Sequence, residues 1–192
     1  MSVPTPAIPV FTDGTVVHAT DLNALGSNLT NLYTYGQASF NSQKPCALIR
    51  QTTLQSIADN ANATMTFQTA VVNTDSMWSS GAPTQLTIQH AGIYLLQGQT
   101  FYVNVAGMTT AQTGGCYLCV NGAVPASNAV AAGAANMSTS NCGPAGNVSC
   151  LVNLAAGATV FLVAVQTSGA ARNTQTGFGG SYISAIYQTS ST

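Results

Sequence analysis

The spacing of apolar positions changes character twice along the chain. Residues 1 to about 19 show no period: Pro4, Pro6 and Pro9 are interleaved with Val3, Ile8, Val10 and Phe11, and Asp13-Gly14 follows. Proline at that density holds the backbone extended and removes amide donors. The stretch 1–19 therefore predicts an arm, either lying on a partner surface with Val3, Ile8, Val10 and Phe11 as its anchoring side chains or serving as a linker. A helical period sets in at Thr20, which suits an N-cap, with Asp21 favourably placed in the first turn. Leu22, Leu25, Leu29 and Leu32 then follow at spacings of 3, 4 and 3. This stripe predicts a short amphipathic stem over 20–36, packed either on its own domain or in an intersubunit bundle. Gly26 lies inside it and Gly36 occupies the next apolar position, so the helix would be marginal in isolation.

Beyond a linker at 37–45 the helical period disappears. Apolar runs punctuated by Gly, Pro, Asn and Ser predict strands at 46–53, 63–68, 84–89, 92–105, 115–124, 148–154, 159–167 and 179–188. Strands in that number with no helix between them predict one all-β domain over 46–192, a sandwich or a barrel. In 92–105, Tyr94 and Leu96 share a phase while Phe101, Val103 and Val105 take the other, which places a bulge or bend at Gly98. Residues 160–165 are apolar without interruption, so neither face of that strand expects water. One face can enter the core; the other, carrying Phe161, Val163 and Val165, is assigned to an interface with another subunit. The segment 126–146, rich in Ala, Asn, Ser and Gly, predicts a long surface loop.

Charge sharpens this picture. Of 192 residues only 4% are charged: Lys44, Arg50 and Arg172 against Asp13, Asp21, Asp59 and Asp75, with no Glu and a net charge of −1. Three cations cannot neutralise a run of phosphates, so nucleic acid and anionic membranes are not expected as partners. Disorder is excluded for the chain as a whole, since 46% of residues are hydrophobic and net charge is close to zero. A surface solvated by Ser, Thr, Asn and Gln repels its own copies very little, which favours an oligomer or a place in a larger assembly. The N-terminus lacks a basic segment followed by an apolar run, and the most apolar stretch, 151–165, is broken by Asn153, Gly157 and Thr159. Synthesis in a cytoplasm is the expectation. Cys46, Cys116, Cys119, Cys142 and Cys150 form an odd set, which fits free thiols.

Chemistry finds little purchase. Three of the four aspartates sit beside turn or cap residues, and neither His18 nor His90 accompanies a serine in a nucleophile elbow. Cys116 and Cys119 have CxxC spacing, but on a strand residues three apart point to opposite faces and cannot share a metal. The Asn-x-Ser/Thr sequons at Asn28, Asn62, Asn136 and Asn147 are unsurprising in so Asn- and Ser-rich a chain. No catalytic residue, metal or cofactor is predicted, and the chain is not expected to be an enzyme.

Several of the strands carry a resemblance. Thr87-Ile88-Gln89-His90-Ala91-Gly92-Ile93-Tyr94-Leu95-Leu96 resembles the "hydrophobe, turn, Gly-x-Tyr, hydrophobe" strand of the complement globular-head and tumour-necrosis-factor jelly-roll superfamily. Leu118-Cys119-Val120-Asn121-Gly122 is similar to its strand ending in Asn-Gly. Residues 151–160 resemble its "Leu-x-x-Gly-Asp-x-Val" hairpin, with Ala158 in place of the Asp, and 180–186 resemble its closing strand. The match covers about 63–188, and it implies a ten-stranded jelly roll that trimerises about a threefold axis. Phe161, Val163 and Val165 would then belong to the trimer interface.

The front end, with its Pro-rich arm, Phe11-Thr12-Asp13-Gly14-Thr15-Val16-Val17 and Thr20-Asp21-Leu22-Asn23-Ala24-Leu25, resembles the N-termini of bacteriophage structural proteins. In those an attachment segment precedes a trimeric knob. The two resemblances together imply a virion protein made in the host cytoplasm: a capsid decoration protein or head fibre, anchored on the major capsid protein, or a minor tail or tail-fibre protein whose head binds a host-surface glycan or receptor.

Overall fold

The computed structural model describes residues 44–103, 112–136, 145–177 and 180–190. The chain divides into two units, Met1–Gln43 and Lys44–Thr192. The arm and stem residues Val3, Ile8, Val10, Phe11, Leu22, Leu25, Leu29 and Leu32 lie outside the described residues, as do His18, Asp13 and Asp21.

Alternating burial builds the larger sheet. Its strands are β1 (Cys46–Arg50), β4 (Thr69–Asn73), β6 (Gly92–Phe101), β9 (Ala145–Leu154) and β12 (Tyr182–Thr189), in the order β4-β1-β12-β6-β9. In β6 every second residue, from Gly92 to Thr100, is buried while the intervening residues are half-exposed. The second sheet has the order β3-β10-β7-β8, with β3 (Ala63–Thr64), β10 (Thr159–Gln166), β7 (Thr113–Val120) and β8 (Ala129–Asn136), and β5 (Leu86–Thr87) also pairs with β10. All pairings are antiparallel. A small third sheet joins β2 (Ser56–Ile57) to β11 (Arg172–Asn173). Setting that pair aside leaves ten strands in two sheets.

The core lies between the sheets. Ile49, Tyr94, Leu96, Ile183 and Ala185 from the larger sheet meet Leu118, Val160, Leu162 and Ala164 from the smaller, with Met65, Phe67, Met77 and Ile88 filling the flanks. One end of the sandwich is closed by polar groups. The Tyr102 hydroxyl donates to the Val165 carbonyl at 2.8 Å and Gln166 Nε2 to the Ile57 carbonyl at 3.1 Å. Burial pushes the Tyr102 hydroxyl far above its ordinary pKa.

Three expectations are corrected. Gly98 hosts no bulge: β6 pairs with β9 without a register shift from Gly92↔Leu154 to Phe101↔Ala145. Gly98 is on the core side, where an added Cβ would stand 2.5 Å from Leu162 Cδ1, so the glycine answers to packing across the sandwich. The segment 126–146 is not one long loop. It holds the end of a single helical turn, α1 (Pro125–Asn128), all of β8 and the start of β9. Its small side chains serve close approach rather than a lack of structure, because a Cβ on Gly133 would fall 1.7 Å from the Asn147 carbonyl oxygen, and one on Gly146 would fall 2.7 Å from Gly115 Cα. The strand expected at 63–68 is two residues long, and β4 follows it in a stretch not assigned to any strand.

Candidate functional site

Strand register decides which side chains share the outer face of the larger sheet. Directly opposed residues lie on one face. One row therefore runs Val72, Leu48, Ser184, Gln97, Ser149, and the next Cys46, Ile186, Leu95, Leu151. Further along, Ile93 stands opposite Asn153. Ala47, Ile49, Tyr94, Leu96, Ile183 and Ala185, in the alternate phase, are in the core, so these rows face outward. Leu151 is 66% exposed, Val72 38% and Ile186 37%. A groove of about 500 Å³ runs across this face, lined among others by Leu48, Arg50, Val72, Tyr182 and Ile186.

The face mixes these apolar side chains with Ser184, Gln97, Ser149 and Asn153 and carries little charge. Arg50 is the charge within its strands, in a row with Thr69, Tyr182, Gln99 and Asn147, and Lys44 lies just beyond the end of β1 with its Nζ donating to the Gln188 carbonyl. The acids of the described residues lie elsewhere. Asp59 Oδ1 accepts the Gly169 N–H at 2.8 Å, and Asp75 Oδ2 pairs with His90 Nε2 at 3.4 Å. The Asp75–His90 pair sits on two turns beside Tyr94, whose hydroxyl donates to the His90 carbonyl at 2.8 Å. Burial and the nearby Asp75 and Tyr187 raise the Tyr94 pKa. With His90 two-thirds exposed, such a pair contributes under about 1 kcal/mol.

The strand nominated from its sequence for the trimer interface takes a different place. Phe161, Val163 and Val165 lie on the outer face of the smaller sheet, opposite Cys119, Tyr117 and Gly115. Val163 and Cys119 are wholly buried within the single chain, and Phe161 and Val165 are half-buried. A continuous apolar run shows that both faces of a strand are covered, but not which molecule covers them. More of the exposed large apolar side chains lie on the other sheet: Val71, Val72, Leu151 and Ile186, against Val130 on the smaller. Ile93 and Leu95 carried a readable signal, since both positions of 92–96 in the phase opposite the core are apolar, whereas Ile186 and Leu151 have Ser184, Ser149 and Asn153 as neighbours in their own phase.

The cysteines stand apart. Cys116 is in the core opposite Ala164, its Sγ donating to the Gly146 carbonyl at 3.3 Å, whereas Cys119 lies on the other face opposite Phe161. Burial pushes the Cys116 thiol up to about 11 and raises Cys119 and Cys150 as well. Cys46, Cys116, Cys119 and Cys150 are free thiols, and Cys142 lies outside the described residues. Among the described residues no group of three or more His, Cys, Asp or Glu side chains gathers to hold a metal. No described helix is long and apolar enough to cross a membrane.

These thiols give a measurable expectation. Burial and a raised pKa keep Cys116 and Cys119 protonated and shielded, so both should resist a thiol reagent in the folded protein while half-buried Cys46 and Cys150 react before them. In denaturant without reductant all five should titrate. A shortfall of two would reveal a disulfide.

No protein-family model matches the sequence, and neither does any curated protein. The fold has counterparts among solved structures. Eiger TNF from S. frugiperda is 16% identical over 78% of this chain and 95% of its own, with a TM-score of 0.53. Murine APRIL is 12% identical over 76% of this chain and 100% of its own, with a TM-score of 0.57. The globular domain of zebrafish complement 1qA is 12% identical over 77% and 100%, with a TM-score of 0.53. At these identities the likeness concerns the fold, a tumour-necrosis-factor and complement-type jelly roll.

Proposed function

We propose that this chain is a homotrimeric structural protein of a bacteriophage virion, a capsid decoration protein or head fibre, held to the shell by residues 1–36 and exposing its jelly roll. The observation that carries the reading is the outer face of the larger sheet: Val72, Leu151 and Ile186 presented to solvent beside half-buried Leu48 and Leu95, with Arg50 as the charge within its strands and no acid among the described residues of that face. An open apolar surface of this kind marks a contact site. Copies of the same chain are its natural occupants, because a nearly neutral surface meets itself without repulsion and closed cyclic symmetry satisfies every copy. A trimer also matches the threefold and quasi-threefold positions of an icosahedral shell, where three identical arms meet three identical capsid surfaces. The prolines of the arm limit its free conformations and so lower the ordering entropy lost on docking.

The test is removal of residues 1–42. The shortened protein retains the whole core of Lys44–Thr192. It should trimerise and lose binding to undecorated capsids. Wild-type occupancy without the arm would assign attachment to the jelly roll, and full-length protein that binds tails but not capsids would make this a minor tail or tail-fibre protein.

A further inference from the structure

The outer face of the larger sheet is apolar along Ile186, Leu95 and Leu151 and at Leu48 and Val72, but not in the row of Arg50. There, Thr69, Arg50 and Tyr182 stand side by side by register, and each ends in a hydrogen-bond donor. Arg50 and Tyr182 line the same groove as Leu48, Val72 and Ile186. A partner seated on the groove therefore covers a guanidinium that stays protonated at any accessible pH.

Among the described residues no acid on this face neutralises it. Asp59 is held by the Gly169 N–H and packs with the turns at the β10 end of the smaller sheet. Asp75 is engaged by His90 and lies by the opposite end of β1, next to Thr74, whose hydroxyl bonds Cys46. A buried charge without a counter-charge strongly opposes association. In a cyclic assembly the burden recurs in every subunit, because symmetry brings each copy of Arg50 to the same height about the axis.

We propose that the self-association face binds an oxyanion of the phosphate or sulfate type, held by the Arg50 guanidinium and the Tyr182 and Thr69 hydroxyls and enclosed only when a second copy closes over the groove. The guanidinium fork matches two oxygens of such an anion, and hydroxyl donors supply the rest. The anion converts a repulsive element of the interface into a cross-link between copies. This inference rests on the trimer reading above, and its test separates the two.

Sedimentation equilibrium of the full-length protein would be run in chloride and in inorganic phosphate or sulfate at matched ionic strength. In phosphate the concentration at which half the wild-type trimer dissociates should fall by about tenfold or more. Arg50→Gln, a change at an exposed position that should leave the thermal transition of the chain intact, should trimerise more tightly than wild type in chloride and show no response to phosphate. Arg50→Lys, which keeps the charge and loses the fork, should retain part of the response. A wild-type trimer indifferent to phosphate and sulfate would overturn the anion site alone. So would Arg50→Gln weakening the trimer equally in both buffers, since that would pair the guanidinium with a carboxylate of another copy. A chain monomeric in every buffer would instead fail the trimer reading itself.

Discussion

Ile186→Asp is expected to convert the proposed trimer into folded monomers. Ile186 lies in the middle of the row Cys46, Ile186, Leu95, Leu151, and in a single chain more than a third of it is exposed. A carboxylate there is hydrated in the monomer and costs the fold little. In the assembly it becomes a buried charge with no partner, at about 3 kcal/mol for every copy. Light scattering should report one chain instead of three, with an unchanged thermal transition. Val163→Asp should behave in the opposite way, because Val163 is wholly buried within one chain and the charge would damage the fold before any interface forms. If the wild-type protein is itself a stable monomer, or if Ile186→Asp leaves the trimer intact, the assembly surface lies elsewhere.

Gly133→Ala should cost the fold more than any other single methyl among the glycines discussed. The added carbon would sit 1.7 Å from the carbonyl oxygen of Asn147 and 3.3 Å from the Val148 amide nitrogen. Both are backbone atoms of β9, so no side chain can swing aside. Either β8 leaves β9 or the two sheets separate at that edge, and overpacking of this kind costs about 3 kcal/mol. For a chain of this size that corresponds to a fall of roughly 6–12 °C in Tm. Gly157→Ala makes a useful comparison. It meets nothing within 4 Å but has φ of 84°, so its cost is that of a left-handed residue alone, about 1 kcal/mol. A Gly133→Ala protein that melts with wild type would show that the seam between β8 and β9 is looser than its geometry implies.

Much of the framework was legible beforehand. The alternation through 92–101, the unbroken apolar run in 160–165 and the Asn121-Gly122 turn each correspond to an observed feature. Asn121 has φ of 58°, and its Oδ1 accepts the Thr159 N–H at 3.1 Å, which ties the end of β7 to the start of β10. Such signals are local. Period-two burial and left-handed turn residues act within a few positions of themselves.

β8 escaped because its determinant is remote. Its Ala and Gly residues have weak strand propensity, and they form a strand by pairing with β7, from Thr113↔Asn136 to Cys119↔Ala129, while the glycine at 133 lets the β9 backbone pass close by. β4 escaped for a similar reason: Thr69–Asn73 becomes a strand by pairing with β1, across a register shift between Leu48 and Ile49.

The assembly surface divides along the same line. By itself the amino-acid sequence determined that this is a nearly uncharged all-β chain with more apolar strand faces than one core can hold. It also determined that residues 160–165 must be covered on both sides. Only the tertiary structure decided that Val163 is covered within its own chain while Val72, Leu151 and Ile186 are left facing solvent. Periodicity records that a side chain avoids water, whereas the molecule that shields it is set by strand order and by the stacking of the sheets. Both depend on contacts between residues far apart in the chain.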